Sequence, residues 1–339
     1  MAQSTPGGSS PAVALHMLLA GMGISRAIMC AAQLGIADQL GDEASVAELA
    51  QLTQTHAPSL YRLMRALACL GVFAEVRPAT FTHTPLSQLL RSDVPGSLRN
   101  MALLLSDTSQ WQTWGALDYS VRTGQPAFDH THGQNIWQYL AGHPESAKVF
   151  NEAMVSFSEA AIPVVYAYDF STITTLVDVG GGLGRLLIAI LQANPATRGI
   201  LFDQPAIIEA ARARIMAAEL DERCELVAGD YFENLPTGAD AYLFKQVLHN
   251  LPDEECIRLL THCRAAMQAG GKVLIVEQAI RPAYLNPATY LQDLDMLVAF
   301  GGRERTEEEF RELFEASGFT LSRLVQTPSP YCLVEGTAR

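Results

Sequence analysis

Leu176–Leu187 reads LVDVGGGLGRLL. Four residues with the character of a buried strand run into three glycines. A fourth glycine stands two residues on, and an apolar, helix-like run follows. The same alternation repeats downstream: GILFD then PAIIEAARARIMAA, CELVAGD, AYLFKQV then DEECIRLLTHCRAAM, and GKVLIVEQ. Strands apolar on both faces and separated by helices imply a parallel, doubly wound α/β sheet. TEEEFRELFEASGF adds a helix opened by a capping box, Thr306 with Glu309. FTLSRLVQ and YCLVEG then read as strands of an antiparallel edge.

Ligands of such sheets lie at the carboxyl ends of the strands, where the strand order reverses. The first strand ends at Val179, so the glycines sit on that rim. Gly180, Gly182 and Gly184 are spaced G-x-G-x-G. A dinucleotide fingerprint needs its last glycine where Arg185 stands, and a P-loop needs a lysine and a hydroxyl that LGRLL lacks. The turn therefore invites a close ligand without a grip on phosphate. GILFD ends in Asp203, where an acid can accept both hydroxyls of a ribose. Asp230 ends the next strand at the same rim. Either aspartate alone reads as a turn or helix cap. Together, beside the turn, they favour a nucleoside without phosphates, which suggests S-adenosylmethionine.

LVDVGGGLG, LFD, GDYF, FKQVLHNLPDEE and GGRERT, in that order, resemble the class I S-adenosylmethionine-dependent O-methyltransferases. The resemblance is to the branch with plant caffeate-type and bacterial polyketide and phenazine enzymes. It covers nearly the whole chain, because that branch carries an N-terminal winged-helix dimerisation domain. It implies methyl transfer to a hydroxyl, phenolic in this reading, of a small aromatic natural product. His249 would be the general base, with Glu277 and Glu304 bracketing the ring. Arg303 and Arg305 offer Glu304 the alternative of an ion pair. On matching positions the resemblance places Ser158, Asp178, Gly180, Gly182, Asp203, Gln204, Asp230, Tyr231, Phe232 and Lys245 at the cofactor. It places Trp111, Met154, Phe157, Asn250, Met296 and Phe300 around the acceptor. The family usually has Asp and Trp after the histidine, where this chain has Asn250 and Leu251, and commonly Met where this chain has Tyr231. Transfer to nitrogen or carbon, or a binding relative turned to hydroxylation or cyclisation, would use the same cofactor site. No metal is expected, since Asp293 and Asp295 match no magnesium-binding cluster.

Upstream, residues 1–10 are Ser, Gly and Pro rich and read as a disordered tail. Pro11 to about Leu40 reads as helix, apolar on nearly every side, and such a helix must be buried. At a terminus it is expected to bury against a second copy of the chain. SVAELAQLTQ carries a capping box, Ser45 with Glu48. PSLYRLMRALACLGVF starts with Pro58 in its first turn, and VFAEV and TFTHT follow as a hairpin turning at 77–79. Helix, turn, helix and hairpin make a winged-helix pattern. FNEAMVSFSEAAIPVVYAYDF (150–170) reads as one long helix. The resulting organisation is a helical winged-helix dimerisation and substrate-lining domain over 11–170 and a Rossmann-like methyltransferase domain over 171–339.

A net charge of −13 over 339 residues argues against a DNA-binding regulator, which needs a basic face. The six cysteines form no CxxC pair and the eight histidines no HExxH, so buried thiols in a reducing compartment are expected. His130 and His132 lie in a polar loop and read as surface residues. The early apolar run, Ala12–Ile24, is shorter than the roughly 20 residues a membrane span takes. A cytoplasmic enzyme is the expectation.

Overall fold

The computed structural model describes residues 10–281 and 286–339. Of the tail expected over 1–10, residues 1–9 lie outside the described residues. Ser10 is the N-cap of the first helix, Pro11–Leu19, and its hydroxyl accepts from the Val13 amide. The chain divides into two compact units, Met1–Trp111 and Gln112–Arg339. The boundary expected at 170 thus falls inside the second unit. There, helix Pro144–Ala161 packs on Arg185–Ala193, and Ala127–His132 packs on Pro287–Ala299.

In the first unit the helix expected through Leu40 is three pieces, Pro11–Leu19, Gly21–Gln33 and Ile36–Gln39, the last entered through a left-handed Gly35. The expected hairpin is β2 (Phe73–Arg77) with β3 (Thr80–His83). A further strand, β1 (Glu43–Ser45), pairs antiparallel with β3. It ends at Ser45, which caps Val46–Leu52 in the expected box with Glu48. Ile36, Leu49, Met64, Leu67 and Phe81 make a water-free core. Helix Pro11–Leu19 contributes no buried residue to it. Leu18 and Leu19 are 78% and 73% exposed, so within this chain the apolar helix is not the buried one its composition demands. Among the described residues no single helix is long and apolar enough to cross a membrane.

The second unit holds a seven-stranded sheet. Its parallel strands are β4 (Thr175–Val179), β5 (Arg198–Asp203), β6 (Cys224–Ala228), β7 (Ala241–Lys245) and β8 (Lys272–Glu277). Two short strands, β9 (Ala279–Ile280) and β10 (Arg305–Thr306), pair separately. β11 (Phe319–Gln326) and β12 (Cys332–Ala338) supply the expected antiparallel edge. The order is β11-β12-β8-β7-β4-β5-β6, with β12 antiparallel to β8. Leu186, Leu187, Ile190 and Leu191 of helix Arg185–Ala193 are buried in the core on one face, and Leu259, Leu260 and Phe314 in the core on the other. The order reverses at β4, which pairs with β5 on one side and β7 on the other. The long helix expected over 150–170 is two, Pro144–Ala161 and Pro163–Ala167. Pro163 lacks the amide that would continue the first.

Candidate active site

Two turns leave the carboxyl ends of the sheet at the reversal. The glycine turn follows β4, and a 3₁₀ turn, Leu248–Asn250, follows β7. Gly180, Gly182 and Gly184 all have left-handed φ, +67°, +58° and +77°, a region closed to most side chains. The Asp203 carboxylate at the end of β5 binds this turn. One oxygen accepts from the Gly182 amide at 2.8 Å, the other from the Gln204 amide at 2.7 Å. Burial raises the Asp203 pKa, and these two amides oppose the rise.

Asp178 lies under the turn, 1% exposed, and its Oδ1 has no hydrogen-bond partner. Burial pushes its pKa up to about 7, with Lys245 pulling the other way. Burial likewise brings Lys245 down to about 8 against the attraction of Asp178. The Lys245 ammonium donates to the Gln246 side chain at 2.9 Å. Gln246 itself has φ +54°, the bend by which the chain leaves β7.

His249 is 4% exposed. Its Nδ1 is 2.8 Å from Glu304 Oε1. Its backbone amide donates to Glu277 Oε1 at 3.0 Å. The two glutamates therefore do different work: Glu304 holds the ring, and Glu277 holds the main chain. Burial works against the imidazolium, but Glu304, helped by Glu277, outweighs it and raises the His249 pKa. Burial also raises the Glu277 pKa. Each glutamate keeps one buried oxygen without a partner.

The ladder between β9 and β10 explains how residues so distant meet. Arg305 pairs with Ala279 in parallel register. That sets Glu304 beside the strand that ends in Glu277. The ion pair of Glu304 with its arginine neighbours does not form. Arg303 binds Asp253 and Glu309 instead. Arg305, wholly buried, donates to the carbonyls of Leu248 at 2.9 Å and Leu251 at 2.8 Å and to Asp253. It grips the turn on both sides of His249. Gly302 completes the clamp, because a Cβ there would collide with the His249 carbonyl. Neither Arg305 nor Gly302 stood out in the sequence as more than part of GGRERT.

The remaining expected residues are placed as follows. Asp230 is exposed and accepts from the Phe232 amide at 2.8 Å, a local turn bond. Tyr231 and Phe232 meet edge to face at 4.8 Å, and the Arg258 guanidinium stacks on Phe232 at 4.1 Å. Ser158 is buried and donates to the Met154 carbonyl at 2.8 Å. Met154 and Phe157 are half-buried on the same helix. Asn250 donates to the Gln246 carbonyl at 3.1 Å. Met296 is buried, and Phe300 packs on Trp137 with ring centres 5.6 Å apart. Trp111 belongs to the first unit, where Arg26 stacks on its ring at 5.0 Å and its indole N–H is buried without a partner. Among the described residues no three of His, Cys, Asp and Glu are grouped to hold a metal ion.

The rim fits a nucleoside bearing a charged sulfur. Its turn runs through left-handed backbone that side chains disfavour, a carboxylate accepts one of the turn's amides, and a second carboxylate beneath has an unused oxygen.

A profile described as an O-methyltransferase domain matches residues 114–320, and one described as an O-methyltransferase dimerisation domain matches residues 17–93. A phenazine O-methyltransferase from Lysobacter antibioticus is 42% identical over 95% of this chain and 94% of its own. A phenazine-1-carboxylate N-methyltransferase from Pseudomonas aeruginosa is 33% identical over 90% of each chain. The crystal structure of LaPhzM superposes with a TM-score of 0.93 at 40% identity, covering 98% of this chain and all of that one.

Proposed function

The chain belongs to the O-methyltransferase family, and from that premise we propose that it methylates a phenolic hydroxyl of a small aromatic natural product, with His249 as general base. Membership makes it an S-adenosylmethionine-dependent O-methyltransferase of small natural products. The finer reading rests on one observation: a buried imidazole held at Nδ1 by Glu304, on the turn beside the glycine rim.

When bound, S-adenosylmethionine supplies a methyl group made electrophilic by a positive sulfur. Asp203 holds the ribose in this reading, with Gly180, Gly182 and Gln204 framing it. Asp230, Tyr231 and Phe232 face the adenosine, and Asp178, Lys245 and Ser158 complete the polar wall. Met154, Phe157, Asn250, Met296 and Phe300 line the acceptor. A phenol has a pKa of about 10 and is a weak nucleophile until its proton leaves. With Nδ1–H donated to Glu304, the lone pair of His249 lies on Nε2. Nε2 takes the phenolic proton as the new oxygen–carbon bond forms, and Glu304 balances the imidazolium charge. Glu277, Arg305 and Gly302 keep the turn from shifting.

Incubation with methyl-labelled S-adenosylmethionine and a panel of hydroxy- and amino-aromatics tests the proposal. Labelled O-methyl ethers are expected. Label carried only on nitrogen would overturn the phenolic reading.

Asp203→Ala is expected to weaken cofactor binding roughly tenfold to a hundredfold, the size of one or two charge-assisted hydrogen bonds. Calorimetric titration that found no loss would remove the ribose assignment. The dimerisation profile begins at residue 17, inside the exposed helix Pro11–Leu19, and we assign this apolar N-terminal segment to a homodimer. Sedimentation should show a dimer, and removal of residues 1–40 should leave an aggregating or unstable product. A well-behaved, active monomer would count against that role.

A further inference from the structure

Asp295 is an acidic side chain that the proton chemistry leaves unused. It lies on helix Pro287–Ala299, one residue before the buried Met296. Two residues before it, Asp293 accepts the Glu304 backbone amide at 2.9 Å. Because Glu304 also holds the histidine ring, this helix is tied to the base. One oxygen of Asp295 accepts from the Trp114 indole N–H at 2.9 Å. Among the described residues its other oxygen has no hydrogen-bond partner, and the side chain is only partly buried. Burial raises the pKa of the carboxyl, and both the Trp114 bond and the nearby His249 oppose that rise.

This arrangement is expensive for a merely structural group. Accepting one indole N–H needs a single oxygen, which a neutral amide provides. A carboxylate adds a charge that must be desolvated and offers about four lone-pair sites, of which Trp114 uses one. The free sites have no partner within the described chain and lie within electrostatic reach of the base.

We propose that Asp295 selects the acceptor by taking a hydrogen bond from a hydroxyl or amino group on the ring near the methylated oxygen, and by repelling an acidic substituent there. The substrate class is thus an aromatic alcohol bearing a neighbouring donor. This rests on the transferase reading above, because it places the ring against His249.

Three probes separate the possibilities: ortho-aminophenol, guaiacol and salicylate, one phenol carrying an amino, a methoxy or a carboxylate group beside its hydroxyl. Binding is measured by calorimetry with S-adenosylhomocysteine present, and turnover by methyl transfer. The intact enzyme should bind the amine about tenfold or more tighter than the ether, as expected for a hydrogen bond to a charged group, and salicylate weakest. Asp295→Asn, which can still accept from Trp114, should recover salicylate. Asp295→Leu should erase the preference for the amine. The proposal is overturned if the three probes do not differ, absence of binding by all of them included, or if Asp295→Leu keeps the ranking. The ranking in binding without methyl transfer to any probe would instead sink the reading of His249 as the base toward a phenol and leave this one standing.

Discussion

His249→Ala is expected to lower kcat by on the order of 10²–10⁴-fold, the usual contribution of a positioned general base, while the dissociation constant for S-adenosylmethionine stays nearly unchanged. The two effects separate because His249 sits on the turn after β7, whereas the glycines and Asp203 belong to β4, β5 and their turn. The variant also leaves the Glu304 carboxylate buried without its partner, 2.8 Å away in the intact protein. A loss of about 1–3 kcal/mol in folding stability should accompany it. Single-turnover rates, a cofactor titration and a denaturant melt, run together, check all three. An unaltered kcat would mean that another group removes the proton.

Glu304→Gln is the second large effect. The amide keeps the shape but carries no charge, and it can present its NH₂ to the ring as readily as its oxygen. The preference for a proton on Nδ1 is lost, and so is the charge that stabilises the imidazolium. A fall in kcat on the order of 10²-fold is expected, the lower end of what general-base catalysis supplies. The pH profile gives a sharper test. The base must be neutral to act, so activity should rise with pH through the His249 pKa. Glu304 raises that pKa above its ordinary value of 6.5 against the effect of burial. Removing Glu304 leaves burial dominant, so the acidic limb should move to lower pH even as the plateau falls. A limb that stayed in place would show that the titrating group is not His249.

The sheet and its rim were legible because β4 to β8 are continuous apolar runs between periodic helices, a pattern written locally. The glycine spacing was legible for the same reason. What escaped notice depends on partners far along the chain. Arg305 reaches the carbonyls of Leu248 and Leu251 from 57 and 54 residues away. Nothing near GGRERT announces this, and adjacent opposite charges left open an ion pair with Glu304, where both arginines instead bind Asp253. Glu277 was expected at the ring, yet it binds the main chain, a distinction between two atoms of one residue that spacing cannot carry. Three-residue β1 and two-residue β9 and β10 are too short to show any periodicity. Pro163 did carry a local signal, and the apolar run around it concealed the break.

The antiparallel insertion of β12 has a consequence for how the protein is made. β8 holds Glu277 at its end, and β12 covers its outer side with Cys332 opposite Glu277. Cys332 comes 55 residues later. During synthesis the VLIV run of β8 therefore leaves the ribosome with one side unpaired, and an unpaired apolar strand can recruit a neighbouring chain. The half of the rim that carries the base can be finished only when residues 332–338 have emerged. Ribosomes stalled before that point should release chains that are inactive and prone to stick together.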